Sequence, residues 1–201
     1  MSKLRIGLTG NVATGKSAVE SIFASYSDFT VIDGDQISRT VCEPGQTAYN
    51  QLIEAFGATI LQQDKKIDRA ILRGFLHDKD KRQKLETIVQ NEILNYSEDW
   101  FSQQKSSYPI FSGSQLIEAG YHDKMDYLIV VRANPEIQIS RVMARDGVTE
   151  AEAKRRIDLQ IPQEDKEKLA NFIIDNSSDL PSLKTRCREV ASKIKSLHIK
   201  P

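Results

Sequence analysis

The chain has 201 residues, 28 basic and 28 acidic side chains, and 39% hydrophobic content. That length holds one substantial core with room for a small inserted lid, and the balanced charge excludes a dominant nucleic-acid footprint. No apolar run approaches the ~20 residues of a membrane span, so neither nucleic acid nor a membrane is an expected partner.

Met1-Ser2-Lys3-Leu4-Arg5 leads straight into an apolar run from Leu4 to Thr9 that reads as a buried strand. This leaves no room for a secretory leader, and a cytoplasmic protein is expected. Gly10-Asn11-Val12-Ala13-Thr14-Gly15-Lys16-Ser17 follows, and then a helical stretch from Ala18 to Phe23. Strand, glycine loop, Lys-Ser and helix form a phosphate-binding P-loop. Gly10 and Gly15 let successive N–H groups turn onto phosphates, Lys16 sets an ammonium against the β- and γ-phosphates, and Ser17 offers a hydroxyl to Mg²⁺. A nucleoside triphosphate with Mg²⁺ is therefore the expected ligand.

Phe29 to Asp33 reads as a second strand ending in acid, broken by Gly34-Asp35, with a helical pattern from Gln36 to Val41. Tyr49 to Phe56 is helical and stopped by Gly57; Asp68 starts another helix with an acidic cap. Asp80 to Trp100 predicts a long helical region broken once, with Leu85, Ile88, Val89, Ile93, Leu94 and Tyr96 on its buried face. Tyr108 to Phe111 and Tyr127 to Val131 are the third and fourth strands, with Pro109 at the start of the third. Pro135 to Arg145 and Thr149 to Gln160 predict a helix pair, the second opened by a Thr149/Glu152 capping box. Phe172 to Asp175 is a short last strand, and Leu180 to Leu197 a closing amphipathic helix. Strands alternating with helices imply an α/β fold, a five-stranded parallel sheet of the P-loop NTPase type with helices on both faces. Gly10, Asp33, Ser112 and Asn134 should then share the rim where ligands bind. Cys42 and Cys187 show no metal spacing and are expected as free thiols; His77, His122 and His198 lie far apart.

A switch GTPase would carry Asn-Lys-x-Asp and Asp-x-x-Gly stretches, and neither occurs. A small P-loop protein with acids after its second strand suits a small-molecule kinase. Such an enzyme needs a base, cations on the migrating phosphoryl group and a lid that expels water. Asp33 is the candidate base, with a helix cap as its alternative role. Arg141 and Arg145, four apart, are the candidate lid cations. Lys154, Arg155, Arg156 and Lys166 read as a solvated charged face.

Taken together these residues resemble the dephospho-coenzyme A kinase family. The resemblance runs through Thr9-Gly10 to Ser17, through Val31-Ile32-Asp33-Gly34-Asp35-Gln36-Ile37-Ser38-Arg39, and through Pro44-Gly45 and Ile67-Asp68-Arg69. It continues through Met143-Ala144-Arg145-Asp146-Gly147, Gln160 and Ile174-Asp175-Asn176. It implies transfer of the ATP γ-phosphoryl group to the 3′-hydroxyl of dephospho-CoA. Lys16, Asp33, Arg141 and Arg145 would be catalytic; Gly10 to Ala18 and Asn176 would hold the nucleotide, and Ser17 the metal. Asp35, Arg39, Arg69 and Glu118 would face the acceptor. Residues 1–45 and 106–201 would form the nucleotide core, 46–105 a helical CoA region, and 141–165 a lid, in a monomer or weak homo-oligomer. Four stretches depart from the family pattern, among them Ser17-Ala18 for a usual Ser-Thr and Ala170-Asn171 for a usual Ala-Asp. Where an Asp-x-Pro is usual the chain has Ser112-Gly113-Ser114, and where a Leu-His-Pro is usual it has Ile88-Val89-Gln90. The departures leave open another small-molecule kinase, or an ATP-binding regulatory homologue.

Overall fold

The computed structural model describes residues 4–75 and 77–198; lead-in residues 1–3 lie outside them. In chain order the elements are β1 (Ile6–Gly10), α1 (Lys16–Ala24), β2 (Phe29–Asp33), α2 (Gly34–Thr40), α3 (Thr47–Phe56), α4 (Arg69–Phe75), α5 (Lys79–Gln103), β3 (Tyr108–Ser112), β4 (Tyr127–Arg132), α6 (Pro135–Asp146), α7 (Glu150–Asp158), α8 (Gln163–Leu169), β5 (Phe172–Asp175) and α9 (Leu180–His198). They divide into two compact units. One holds the chain up to Ile32 and from Gln104 onward; the other is Asp33–Gln103.

The first unit is built on the sheet, with strand order β2-β3-β1-β4-β5. β1 runs parallel to β3 and β4, and β4 parallel to β5. All residues of β1 are buried, as a near-continuous apolar run in a parallel sheet requires. Side chains alternate across the sheet. Ile6 and Leu8 of β1, Ile110 of β3, Ile129 and Val131 of β4 and Ile174 of β5 join a core with Val19, Ile22 and Phe23 of α1. Leu183, Cys187, Val190 and Ile194 of α9 complete it, at the three- and four-residue steps of a helix stripe. On the other face Gly7 meets Met125, Leu128 and Leu116 so closely that a Cβ there would lie 3.0 Å from the Met125 Cγ. Cys42 and Cys187 are free thiols, and burial pushes Cys187 up to about 12.

The second unit has its own core of Tyr49, Leu52, Ile60, Ile67 and Leu85. Two expectations for α5 are corrected. The helix is unbroken over 25 residues, because nothing between Lys79 and Gln103 is Gly or Pro. Its start is capped by Asp78, which accepts from the N–H groups of Asp80 and Lys81 at 3.1 Å. Of the six apolar positions read as its buried face, only Leu85 is buried, and Tyr96 is 41% exposed. The unit's apolar cluster meets only the first half of the helix, with Ile88 and Val89 packed at its edge. Farther along, Ser97 and Phe101 are the buried residues.

α8 was not expected, and it overturns the reading of Lys166 as solvated. Lys166 is 0% exposed, its Nζ 2.7 Å from Glu118 Oε1 and 3.4 Å from the Ser114 carbonyl. A buried ammonium persists only when paired. Lys166→Ala is expected to cost about 2–3 kcal/mol in denaturant unfolding, below the ~3–5 kcal/mol of a fully buried broken pair, since the Glu118 side chain is 26% exposed and can rehydrate.

Candidate active site

The loop between β1 and α1 is shaped by close approach. A Cβ on Gly10 would lie 2.7 Å from both Thr14 Oγ1 and the Val131 carbonyl. Ala13 takes φ 60° and Gly15 φ 90°, so the chain turns back on itself and Gly15 becomes the N-cap of α1. The first-turn N–H groups of a helix have no partner within it, and its N-terminus carries partial positive charge. Together they make a site for phosphate.

Side chains from far along the chain brace this loop. Gln138 of α6 donates to the Val12 carbonyl at 2.6 Å, and the Val12 N–H donates to Gln160 Oε1 at 2.7 Å. Asn11 donates to the Ile161 carbonyl at 3.0 Å, and Asn176 to the Thr14 carbonyl at 2.9 Å. Arg141 reaches the Ala13 carbonyl at 3.5 Å and the Asn176 carbonyl at 3.0 Å. Arg141 and Asn176 thus come together with the Ala13 and Thr14 carbonyls of the loop.

Lys16 lies inside this frame. Its Nζ is 2.6 Å from Glu20 Oε1 and 3.0 Å from Ser112 Oγ at the end of β3. The Ser112 hydroxyl donates to the same Glu20 oxygen. The Lys16 and Glu20 side chains are only 11% and 14% exposed. Ser17, one residue on, is exposed at the start of α1. Among the described residues no cluster of three His, Cys, Asp or Glu side chains forms a cage for a metal. One hydroxyl beside phosphate positions suits Mg²⁺, which keeps most of its waters and binds chiefly through substrate oxygens.

The two arginines expected in a lid part company. Arg141 faces the loop, whereas Arg145 is 57% exposed and forks onto Asp146 at 2.7 and 3.0 Å. Arg156 of α7 shares that carboxylate at 2.7 Å, so Asp146 ties α6 to α7 and the arginines hold its carboxyl below the usual range. Thr149 caps α7, accepting from the Glu152 N–H at 3.3 Å. The box is not closed from the other side, because the Glu152 carboxylate turns to Arg155 and Arg156. Hydrogen bonds from those guanidiniums pull Glu152 down from 4.5 to about 2. A depressed carboxylate stabilises above its unfolded pKa and loses that effect as pH falls through its folded one. Glu152→Gln should therefore lower the melting temperature slightly at pH 7, and the difference should close between pH 4.5 and about 2 in calorimetric scans.

Other proposed positions have separate surroundings. Glu118 is engaged by Lys166. In the second unit Asp33 is the N-cap of α2, its Oδ1 accepting from the Asp35 N–H at 2.9 Å. Asp35 and Arg39 are exposed on α2, and Arg69 is exposed at the start of α4.

A family model described as dephospho-CoA kinase matches residues 4–182 of this chain. The chain belongs to the dephospho-CoA kinase family. The dephospho-CoA kinase of Oceanobacillus iheyensis is 38% identical over 195 residues, covering 94% of this chain and 97% of that protein. That of Geobacter sulfurreducens is 37% identical over 192 residues, with the same coverage. A solved structure from Thermus thermophilus superposes with a TM-score of 0.82 at 25% identity, covering 96% of this chain and 98% of that one. The dephospho-CoA kinase from Campylobacter jejuni superposes with a TM-score of 0.70 at 25% identity, covering 97% and 98%. Shikimate kinase from Bacteroides thetaiotaomicron, at a TM-score of 0.58 and 13% identity over 96% and 98%, shares the fold. This member of the dephospho-CoA kinase family therefore has the expected α/β architecture and kinase class. Sequence reasoning missed Glu20 and Gln138 at its loop. The four-residue step from Lys16 to Glu20 carried a signal; a bridging glutamine carries none.

Proposed function

We propose that this chain transfers the γ-phosphoryl group of ATP to the 3′-hydroxyl of dephospho-CoA, releasing ADP and CoA. The observation that carries this reading is the dephospho-CoA kinase match over residues 4–182, joined to a braced phosphate loop whose lysine is fixed by two side chains. Gly10 to Ala18 and Asn176 hold the nucleotide, with Lys16 on the β- and γ-phosphates. Ser17 would ligate Mg²⁺, which neutralises charge on the phosphates when bound. Asp33 accepts the proton of the 3′-hydroxyl as its oxygen bonds to the γ-phosphorus and the bond to the β-phosphate oxygen breaks. The α2 cap bond fixes the orientation of that carboxylate. Arg141 offsets charge on the transferring group from its place on the loop. Arg145 joins it by leaving Asp146 when α6 and α7 close over ATP, which keeps water from taking the phosphoryl group. Asp35, Arg39, Arg69 and Glu118 are the acceptor-side residues.

A coupled ADP-release assay with ATP, Mg²⁺ and dephospho-CoA tests this, with CoA detected as product. Turnover on dephospho-CoA but not on adenosine or shikimate is expected. Absence of turnover at millimolar substrates sinks the reading.

A further inference from the structure

The P-loop lysine of this protein is held by a carboxylate from its own helix. Glu20 stands one turn after Lys16 on α1, and its Oε1 takes both the Lys16 ammonium at 2.6 Å and the Ser112 hydroxyl. Ser112 is fully buried and closes the triangle, accepting from Lys16 at 3.0 Å. Its backbone is fixed by the sheet, in register with Leu8 of β1. The clamp therefore joins the helix that follows the loop to the strand beside it. In a site this sheltered from water, a charged contact is stronger than on an open surface.

We propose that Glu20, together with Ser112, is a positioning residue that pre-sets Lys16 for the transition state of phosphoryl transfer. The inference rests on the phosphoryl-transfer reading above. A lysine drawn fully onto the phosphates of bound ATP would stabilise ground state and transition state alike and would not raise kcat. A carboxylate at 2.6 Å opposes that movement. It holds the ammonium where it gains most as charge grows on the oxygen leaving the γ-phosphorus. It also adds a negative charge near the phosphates, which weakens ground-state binding. The clamp thus exchanges ATP affinity for turnover, and removing it should move the two in opposite directions.

The experiment uses Glu20→Gln, which keeps the side-chain shape, in the full chain. The first readout is calorimetric affinity for a non-hydrolysable ATP analogue with Mg²⁺, which needs no acceptor. Glu20→Gln should bind it about 3- to 10-fold more tightly, and the gain should vanish in a Lys16→Met background. Unchanged or weaker binding, or a gain that survives without Lys16, overturns the proposal. The second readout is turnover on dephospho-CoA. Glu20→Gln should lower kcat about tenfold or more, and adding Ser112→Asp should restore it to within about threefold by returning a carboxylate to Lys16. Parallel loss of kcat and affinity, or no rescue by the second substitution, marks a merely structural role and overturns it. If the wild-type chain fails to phosphorylate dephospho-CoA, the functional reading falls, while the affinity cycle still decides whether Glu20 acts on Lys16.

Discussion

Asp33→Asn is expected to lower kcat by about 10²–10⁴-fold, the range general base catalysis contributes, with KM for ATP unchanged. The substitution separates two jobs of one side chain. As the cap of α2, Asp33 uses an oxygen that accepts from the Asp35 N–H at 2.9 Å. Asparagine caps as well as aspartate does, so folding should be preserved. What it removes is the basic oxygen that, in the proposed mechanism, takes the hydroxyl proton. Asp33→Ala removes both and should add about 1 kcal/mol of destabilisation from the lost cap. Steady-state kinetics with melting curves on the two variants check this. A kcat that falls for alanine but not for asparagine would reduce Asp33 to a cap. A rise in KM for ATP matching the fall in kcat would place it in nucleotide binding instead.

Gly15→Ala should damage stability and nucleotide binding together. The residue sits at φ +90°, and a Cβ there would lie 2.0 Å from Asn176 Nδ2. The left-handed backbone costs a non-glycine residue about 1–2 kcal/mol. Displacing Asn176 also orphans the Thr14 carbonyl, for about 1–3 kcal/mol more. For a chain of this length that sum lowers the melting temperature by roughly 4–20 °C. ATP affinity should fall at least about tenfold, because the displaced amide braces the phosphate loop. Gly45→Ala is the control. It has the same φ of +90° with nothing within 4 Å, so it carries the backbone strain alone and should leave ATP binding intact. If the two variants behave alike, strain rather than the Asn176 contact is the cause.

The sheet and its loop were legible because their signals are local. β1 and β4 are apolar runs bounded by breakers, and the loop glycines recur at fixed spacing before a helix. The family resemblance added the acceptor, which no spacing carries. What stayed hidden depends on partners remote in sequence. A helical period puts Arg141 and Arg145 on one face, yet four residues also advance about 6 Å along the axis. That step carries Arg145 to the end of α6, where Asp146 takes it. Lys166 lies in a charged run that reads as solvated, and its burial is explained by Glu118 and the Ser114 carbonyl, 48 and 52 residues earlier. Asp33 divides two readings because a strand-end acid suits a helix cap as well as a base; the structure shows the cap, and the base role stays a proposal.

The braces on the phosphate loop also set a timetable for the newborn chain. Val12 is bonded by Gln138 and Gln160, and Thr14 by Asn176, across separations of 126, 148 and 162 residues. During synthesis at about 5–20 residues per second, the glycine loop emerges first and waits roughly 8–30 s for its last brace. Throughout that interval the sheet beside it is incomplete, since β3, β4 and β5 follow it as well. A chain that ends before Asn176 therefore carries the motif without the bond to the Thr14 carbonyl.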